Sequence, residues 1–367
     1  MVRPLDACAF GLRLERPLAE GEAIADALLA RLSAEGGGRR VTLDEVRADL
    51  NREGRAGLTA QTATRLAGRG AVGFRWDAGD DAVDYWYPQG ITGSADAGDG
   101  TRGWLLVSWY HRTDERPTRG VRLSLVDASD PARPRYRHLL LVDPVERAAG
   151  PDLGPAEYDS GGALHAGGIA WIGTRLYVAD TSQGLRVYDL SRIARVSHAD
   201  DTARIGIGGG RSDAHGYRYV VPRIGRWRRA PGTCAARFSF VARGELDGAP
   251  VLVTGDYRAD ELGGRLAAWP LAGSDLAVDA TGVAWAARAA VPGQTRIQGG
   301  LYAGGAWYLS CSSQEGSNGL LYRASEAGTT SAPWVYGAED LYRDADDRLW
   351  TAAEHPNRRD VVSVPRP

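Results

Sequence analysis

Lysine is missing from this 367-residue chain; all 44 basic residues are arginine. That absence excludes Schiff-base catalysis, a lysine-anchored pyridoxal phosphate and the lysine of a Walker-type phosphate loop. Cysteine is scarce: Cys8, Cys234 and Cys311 are too few and too scattered for a disulfide framework or a cysteine-based zinc site. They fit a reduced compartment, with a single bridge left open. No apolar run approaches 18 residues, so no helix is expected to cross a membrane. The first 18 residues carry Arg3, Asp6, Arg13, Glu15 and Arg16 and no apolar stretch, so no signal peptide is expected and a cytoplasmic location is the default. Charge of one sign is also lacking. A net charge of −2 supplies no field that would draw the chain to nucleic acid or an anionic membrane. There is no GxSxG elbow, no HExxH and no dinucleotide fingerprint.

What is present is ordinary globular material, 43% hydrophobic and 25% charged. The arginine bias, with abundant alanine and glycine and one methionine, points to a GC-rich genome. Residues 17–70 read as helical: Ala23, Ile24, Ala27, Leu28, Leu29 and Leu32 recur at helical spacing and Gly36-Gly37-Gly38 ends the run. Thr42 and Glu45 form a capping-box pattern opening a second helix, and Thr59–Leu66 suits a third. From residue 71 the hydrophobic period changes to two, and strand-like runs separated by Gly, Asp, Pro or Asn continue to the end. Gly206-Ile207-Gly208-Gly209-Gly210 reads as a loop, and the arginine-rich run 223–229 as a solvated basic loop.

A degenerate repeat organises these runs. A small or polar pair precedes an aliphatic or aromatic residue at Gln89-Gly90-Ile91, Gly167-Gly168-Ile169, Ala236-Arg237-Phe238, Gly299-Gly300-Leu301 and Glu339-Asp340-Leu341, and each is followed by a turn and a second strand. This predicts an all-β, five-bladed β-propeller over residues 71–367, preceded by a helical segment (1–70) packed on it; the stretch between Ile91 and Ile169 leaves room for a sixth blade. The last blade is short of a strand, which residues 83–87 are expected to supply.

The runs Trp86–Ile91, His165–Trp171, Leu176–Thr181, Gly184–Leu190, Tyr217–Pro222 and Glu354–Pro356 resemble a family of actinobacterial five-bladed propeller proteins, mostly described as secreted and of unknown function. The resemblance spans roughly residues 80 to 365. It implies the fold but no chemistry; the expected lack of a secretion signal departs from that family and points to an intracellular role in specialised (natural-product) metabolism.

In a propeller the start of each innermost strand and the end of the next strand meet at one rim. That geometry gathers Gln89, His165, Arg237, Gln298, Glu339 and Asp340 with Tyr110, His111, Asp180, Thr181, Asp256, Tyr257, Ser312, Glu354 and His355 at one mouth. His165, Glu354, Glu339 and Arg237 are the expected catalytic groups; Gln89, Gln298, Tyr110, Asp180, Asp256 and Tyr257 are the expected substrate contacts. Each has a bland alternative: Arg237 as a clamp onto Glu339 or Asp340, His165 as a backbone hydrogen-bonder, the aspartates as turn caps. Glu354 and His355, being adjacent, are expected to face opposite ways.

The reading is a cofactor-independent enzyme using general acid/base chemistry on an oxygen-rich small molecule, as a cyclase, isomerase, lyase or hydrolase, with no metal required. A non-catalytic ligand-binding or scaffold propeller is the rival, and Ca²⁺ or a transition metal held by Asp180, Asp256, Glu354 and one histidine the minor variant. A small-molecule substrate, no nucleic acid, no membrane and a monomeric state are expected.

Overall fold

Five sheets, each built on four strands hydrogen-bonded antiparallel one to the next, follow one another along the chain. The computed structural model describes residues 2–5, 9–98, 100–112, 118–313 and 317–367. Blade 1 is Trp86–Gly93, Trp104–His111, Val121–Asp127 and Arg135–Arg147. Blade 2 is Ile169–Ile172, Arg175–Asp180, Gly184–Asp189 and Tyr219–Arg229. Blade 3 is Phe240–Leu246, Ala249–Gly255, Leu266–Ala272 and Arg288–Val291. Blade 4 is Ile297–Ala303, Ala306–Cys311, Leu320–Ser325 and Gly328–Pro333. Blade 5 takes Tyr342–Arg343, Arg348–Ala352 and Asp360–Pro365 from the end of the chain and Val72–Arg75 from its beginning. The chain is a five-bladed β-propeller. The stretch between Ile91 and Ile169 holds the rest of blade 1 and an outer hairpin with Gly150–Pro155, and no sixth blade among the described residues.

The closing strand is Val72–Arg75, paired to Asp360–Ser363, rather than residues 83–87. Helix formation explains the difference. Asp77 accepts a hydrogen bond from the Asp80 N–H and caps a short helix, Ala78–Ala82, and Trp86 and Tyr87 then open the innermost strand of blade 1. Joining the two ends of the chain in one sheet removes a free edge.

The segment before residue 71 is threaded through the outer edges of the blades. Arg3–Pro4 adds to blade 3, Gly11–Leu14 to blade 2 and Arg55–Ala56 to blade 5. Between them Leu18–Gly36 (α1) buries Ala25, Leu28, Leu29 and Leu32; the last three pack with Leu140, Val142 and Val220 of blades 1 and 2. The Thr42–Glu45 capping box forms as expected at Leu43–Arg47 (α2). The glycine-rich run is a hairpin, not a loop: Ile205–Gly208 pairs with Arg211–Ala214, turning at Gly209 and Gly210, both at positive φ. The 223–229 run is also no solvated loop. It lies in the fourth strand of blade 2, with Arg223 on Asp143 (2.8 Å), Arg226 on Asp159 (2.6 Å) and Arg228 on Asp159 (2.8 Å). Cys234 is disulfide-bonded and Cys311 is a buried free thiol, so the alternative of one bridge is the one realised; Cys8 lies outside the described residues.

Small residues open the innermost strands because neighbouring blades touch there. A Cβ on Gly168 would stand 2.3 Å from the Val241 nitrogen, and one on Gly299 would stand 2.5 Å from the Asp340 backbone. Backbone cannot yield as a flexible side chain does. Gly168→Ala is therefore expected to cost about 3 kcal/mol or more in urea unfolding. Gly263→Ala, where nothing lies within 4 Å, should change stability by less than about 0.5 kcal/mol.

Candidate functional site

One end of the axis is stopped. A single helical turn, Ser94–Ala97, lies across it: the Ala97 carbonyl accepts the Gly173 N–H (3.1 Å), the Ala95 N–H donates to the Tyr342 hydroxyl (3.2 Å), and Asp96 accepts from Thr92 (3.2 Å). Burial pushes the Asp96 carboxyl up to about 7. The opposite end is the rim where innermost strands begin, and there titratable groups collect.

At that rim two carboxyl groups meet. Glu339 is buried (1% exposed) and lies within hydrogen-bonding reach of Glu354, whose side chain is 21% exposed. Gln298 Nε2 donates to Glu339 Oε1 (3.0 Å) and Gln89 Nε2 donates to Glu354 Oε2 (3.2 Å), so each amide holds one member of the pair. Burial, then the nearby Glu354 charge, raises Glu339 well above the usual carboxylate range. Burial thus favours the protonated form of Glu339, and the hydrogen bond to Glu354 couples the two carboxyls. Behind them Asp340 is fully buried and raised well above its ordinary value by the same desolvation. Its Oδ2 accepts the Ile91 and Ile169 N–H groups (3.2 and 3.1 Å), which ties blade 5 to blades 1 and 2.

An aromatic wall stands beside the pair. Tyr110 packs on His165 with ring centroids 4.6 Å apart and on Tyr87 at 5.7 Å. Burial, then the Glu354 charge, raises the Tyr110 hydroxyl, which keeps it a neutral donor. Burial lowers His165 to about 4, so its imidazole is neutral at pH 7. His165 is aimed by its neighbours: Ala166 sits at φ 51°, a conformation rare outside glycine, and Ser108 Oγ donates to its carbonyl (3.0 Å) while accepting the Gly90 N–H (2.8 Å). The His165 N–H itself donates to the Tyr158 hydroxyl (3.2 Å).

The structure thus brings together Glu339, Glu354, Gln89, Gln298, Tyr110 and His165. It removes others. Asp180 is no substrate contact: it is 0% exposed and its Oδ2 accepts from Arg186 Nε (2.8 Å), in an ion-pair chain continuing to Asp143. Asp256 is spent as well, with Oδ1 on the Arg237 N–H (2.7 Å) and Oδ2 on Arg265 (3.1 Å). Arg237 does not clamp Glu339 or Asp340; its side chain is exposed and has no ion pair among the described residues. Tyr257 is half-buried at the rim, its N–H donated to Ser239 Oγ (2.9 Å). His111 turns away to pack on Trp86 (4.9 Å). His355 and Glu354 do not oppose each other, because the strand ends at Ala352 and the chain turns through Asn357 at φ 64°; His355 Nε2 lies 3.5 Å from Glu354 Oε1 and its ring packs on Tyr336. Among the described residues no group of three or more His, Cys, Asp or Glu is placed to hold a metal.

Sequence reasoning missed Arg359. It is fully buried: Nε donates to the Glu354 carbonyl (2.8 Å), Nη1 to the Asp80 carbonyl (2.7 Å), and its plane lies near the Tyr87 and Trp109 rings. The only available signal was the charged run Arg358-Arg359-Asp360 ahead of the mostly aliphatic Val361–Val364. Sequence reasoning also missed a Ser124–His138–Asp80 chain with 3.0 and 2.9 Å links. Ser124 is 0% exposed and its oxygen accepts the Trp109 indole N–H (2.8 Å), so this triad is a packed polar core rather than a nucleophile. A cavity of about 810 Å³ on the outer flank of blades 3 and 4, beside Arg288, Tyr302 and Trp307, holds no comparable cluster.

No family model and no curated protein matches the chain. Solved structures similar to it include a GH43_1 enzyme from Xanthomonas citri, 14% identical with 83% of this chain and 93% of that one covered at a TM-score of 0.36. The same enzyme complexed with xylose gives 13%, 84%, 93% and 0.36. The β-propeller domain of the Trilobed protease from Pyrococcus furiosus gives 11%, 77%, 96% and 0.30. These likenesses add nothing to the strand order, on which the fold stands. A propeller with a polar mouth suits an enzyme or a binding module generally.

Proposed function

We propose that the chain is a cofactor-independent enzyme that moves protons on an oxygen-rich small molecule held in the open mouth. The carboxyl pair carries this reading. Glu354 is the member that reaches solvent, so it is the group that touches substrate; buried Glu339 sets its protonation. With one proton between them, Glu354 takes a proton from substrate as the carboxylate, or receives the Glu339 proton and delivers it as the acid. Neutral His165 and the Tyr110 hydroxyl supply hydrogen bonds to substrate oxygens. Glycoside hydrolysis by this pair is disfavoured, since it requires two carboxyls held about 5 to 10 Å apart around the scissile bond, whereas these two are hydrogen-bonded. Isomerisation, elimination and cyclisation need only the shared proton.

The test is differential metabolite profiling of a small-molecule extract incubated with wild-type protein, Glu354→Gln or Glu339→Gln. A substrate–product pair should appear with wild type, with turnover down by about 10² to 10⁴ in Glu354→Gln while thermal unfolding is unchanged. If extracts treated with wild type and Glu354→Gln are identical, the acid/base reading fails and a binding module remains.

A further inference from the structure

Exposed arginines stand at the rim that holds the carboxyl pair, although the whole chain is slightly acidic. Arg112 closes the second strand of blade 1, exposed, with its guanidinium 5.4 Å from the Tyr87 ring centroid. Arg358, also exposed, lies 5.1 Å from the Tyr336 ring against which His355 packs. Arg237 is exposed at the start of blade 3. None of the three has a carboxylate partner among the described residues. Beneath them Arg359 is fully buried, hydrogen-bonded through its side chain only to backbone carbonyls, and its Nη2 has no partner among the described residues. Several acids of this end are matched elsewhere: Asp180 by Arg186, Asp256 by Arg265, Asp159 by Arg226 and Arg228, Asp260 by Arg296. Asp84, exposed beside Tyr85, whose carbonyl accepts the Arg112 N–H, has no ion pair among the described residues. Glu354 forms no ion pair with an arginine among the described residues, and burial favours the protonated forms of Glu339 and Asp340 beside it.

We infer that the molecule taken by this mouth is an oxyanion, a small hydroxyl-rich compound carrying a carboxylate or phosphate group that Arg112, Arg237 and Arg358 receive at the rim. This rests on the proposed site and names its substrate class. A guanidinium fork matches both oxyanions in geometry, and low-dielectric walls below the rim strengthen the attraction. The buried, half-satisfied Arg359 adds positive potential from behind Tyr87 without touching the ligand.

Calorimetric titration of the full chain with D-gluconate, D-sorbitol 6-phosphate and neutral D-sorbitol tests this. One or both anions should bind and sorbitol should not; which anion binds decides between carboxylate and phosphate. Arg112→Ala and Arg237→Ala should each weaken binding by roughly tenfold, and added salt should weaken it further. Glu354→Gln should tighten it, since a like charge is removed. Equal binding of sorbitol, no binding of either anion in the millimolar range, or arginine variants that bind as wild type would each overturn the inference. Because no turnover is read, anion binding that survives alongside a failed metabolite test sinks the acid/base reading alone.

Discussion

Stability is expected to fall as pH rises above about 6.5, the reverse of ordinary acid denaturation. Glu339 and Asp340 have folded-state values raised well above 4.5 and 3.8 by burial, so the folded chain holds protons that the unfolded chain releases. Their contribution is fully present below those unfolded values and is lost as pH climbs through the raised folded ones. Buried histidines act in the opposite sense. His111, His138 and His165 are lowered to about 4, chiefly by burial; their contribution is present above 6.5 and lost as pH falls toward 4. Between about 4 and 6.5 the two sets oppose each other and the profile should be shallow. Above 6.5 the histidines are neutral in both states and the raised carboxyls, Asp96 joining Glu339 and Asp340 up to about 7, set the slope, each worth on the order of 1.4 kcal/mol per pH unit while it stays protonated. Urea midpoints across the neutral and alkaline range measure this. Glu339→Gln and Asp340→Asn should each flatten the alkaline slope without altering the acid limb. A midpoint that holds or rises with pH would mean that the pair is fully ionised and shares no proton.

Replacing Arg186 should be the most damaging change away from the axis. The side chain is 0% exposed and joins Asp180 (also 0% exposed) to Asp143, with 2.8 Å bonds to each. Arg186→Met leaves Asp180 as a buried unpaired charge, which costs about 3 to 5 kcal/mol. Adding Asp180→Asn should return part of that loss, because the orphaned charge goes with it; Asp143 keeps Arg223. Chemical denaturation of the single and double variants reads the coupling. Asp180→Asn alone should lower stability and leave ligand binding at the mouth unchanged; a loss of binding at unchanged stability would restore Asp180 to the site.

These two predictions show where residue patterns were legible and where they were not. The rim rule gathered Gln89, Gln298, Glu339, Glu354, Tyr110 and His165 at one place, as the structure does, because it depends on strand order alone. It failed for Asp180 and Asp256, since position at a rim does not say whether an arginine from a neighbouring strand has already taken the carboxylate. With 44 arginines in the chain, such partners abound, and Arg186 lies only six residues from Asp180. Arg359 was invisible for a related reason: a charged residue before an aliphatic run looks like surface until the Glu354 carbonyl is seen to accept from it.

Local chemistry alone specified the alternating strands, the Thr42–Glu45 cap and the small residues that let five sheets crowd around one axis, because each depends on neighbours within a few positions. Tertiary structure alone decided that Val72–Arg75 closes the ring, that Glu339 and Glu354 meet as a hydrogen-bonded pair, and that three arginines at the rim have no carboxylate partner among the described residues. Those outcomes depend on desolvation and on pairings between residues up to hundreds of positions apart, and no periodicity in a sequence encodes how deeply a charge is buried or which opposite charge reaches it first.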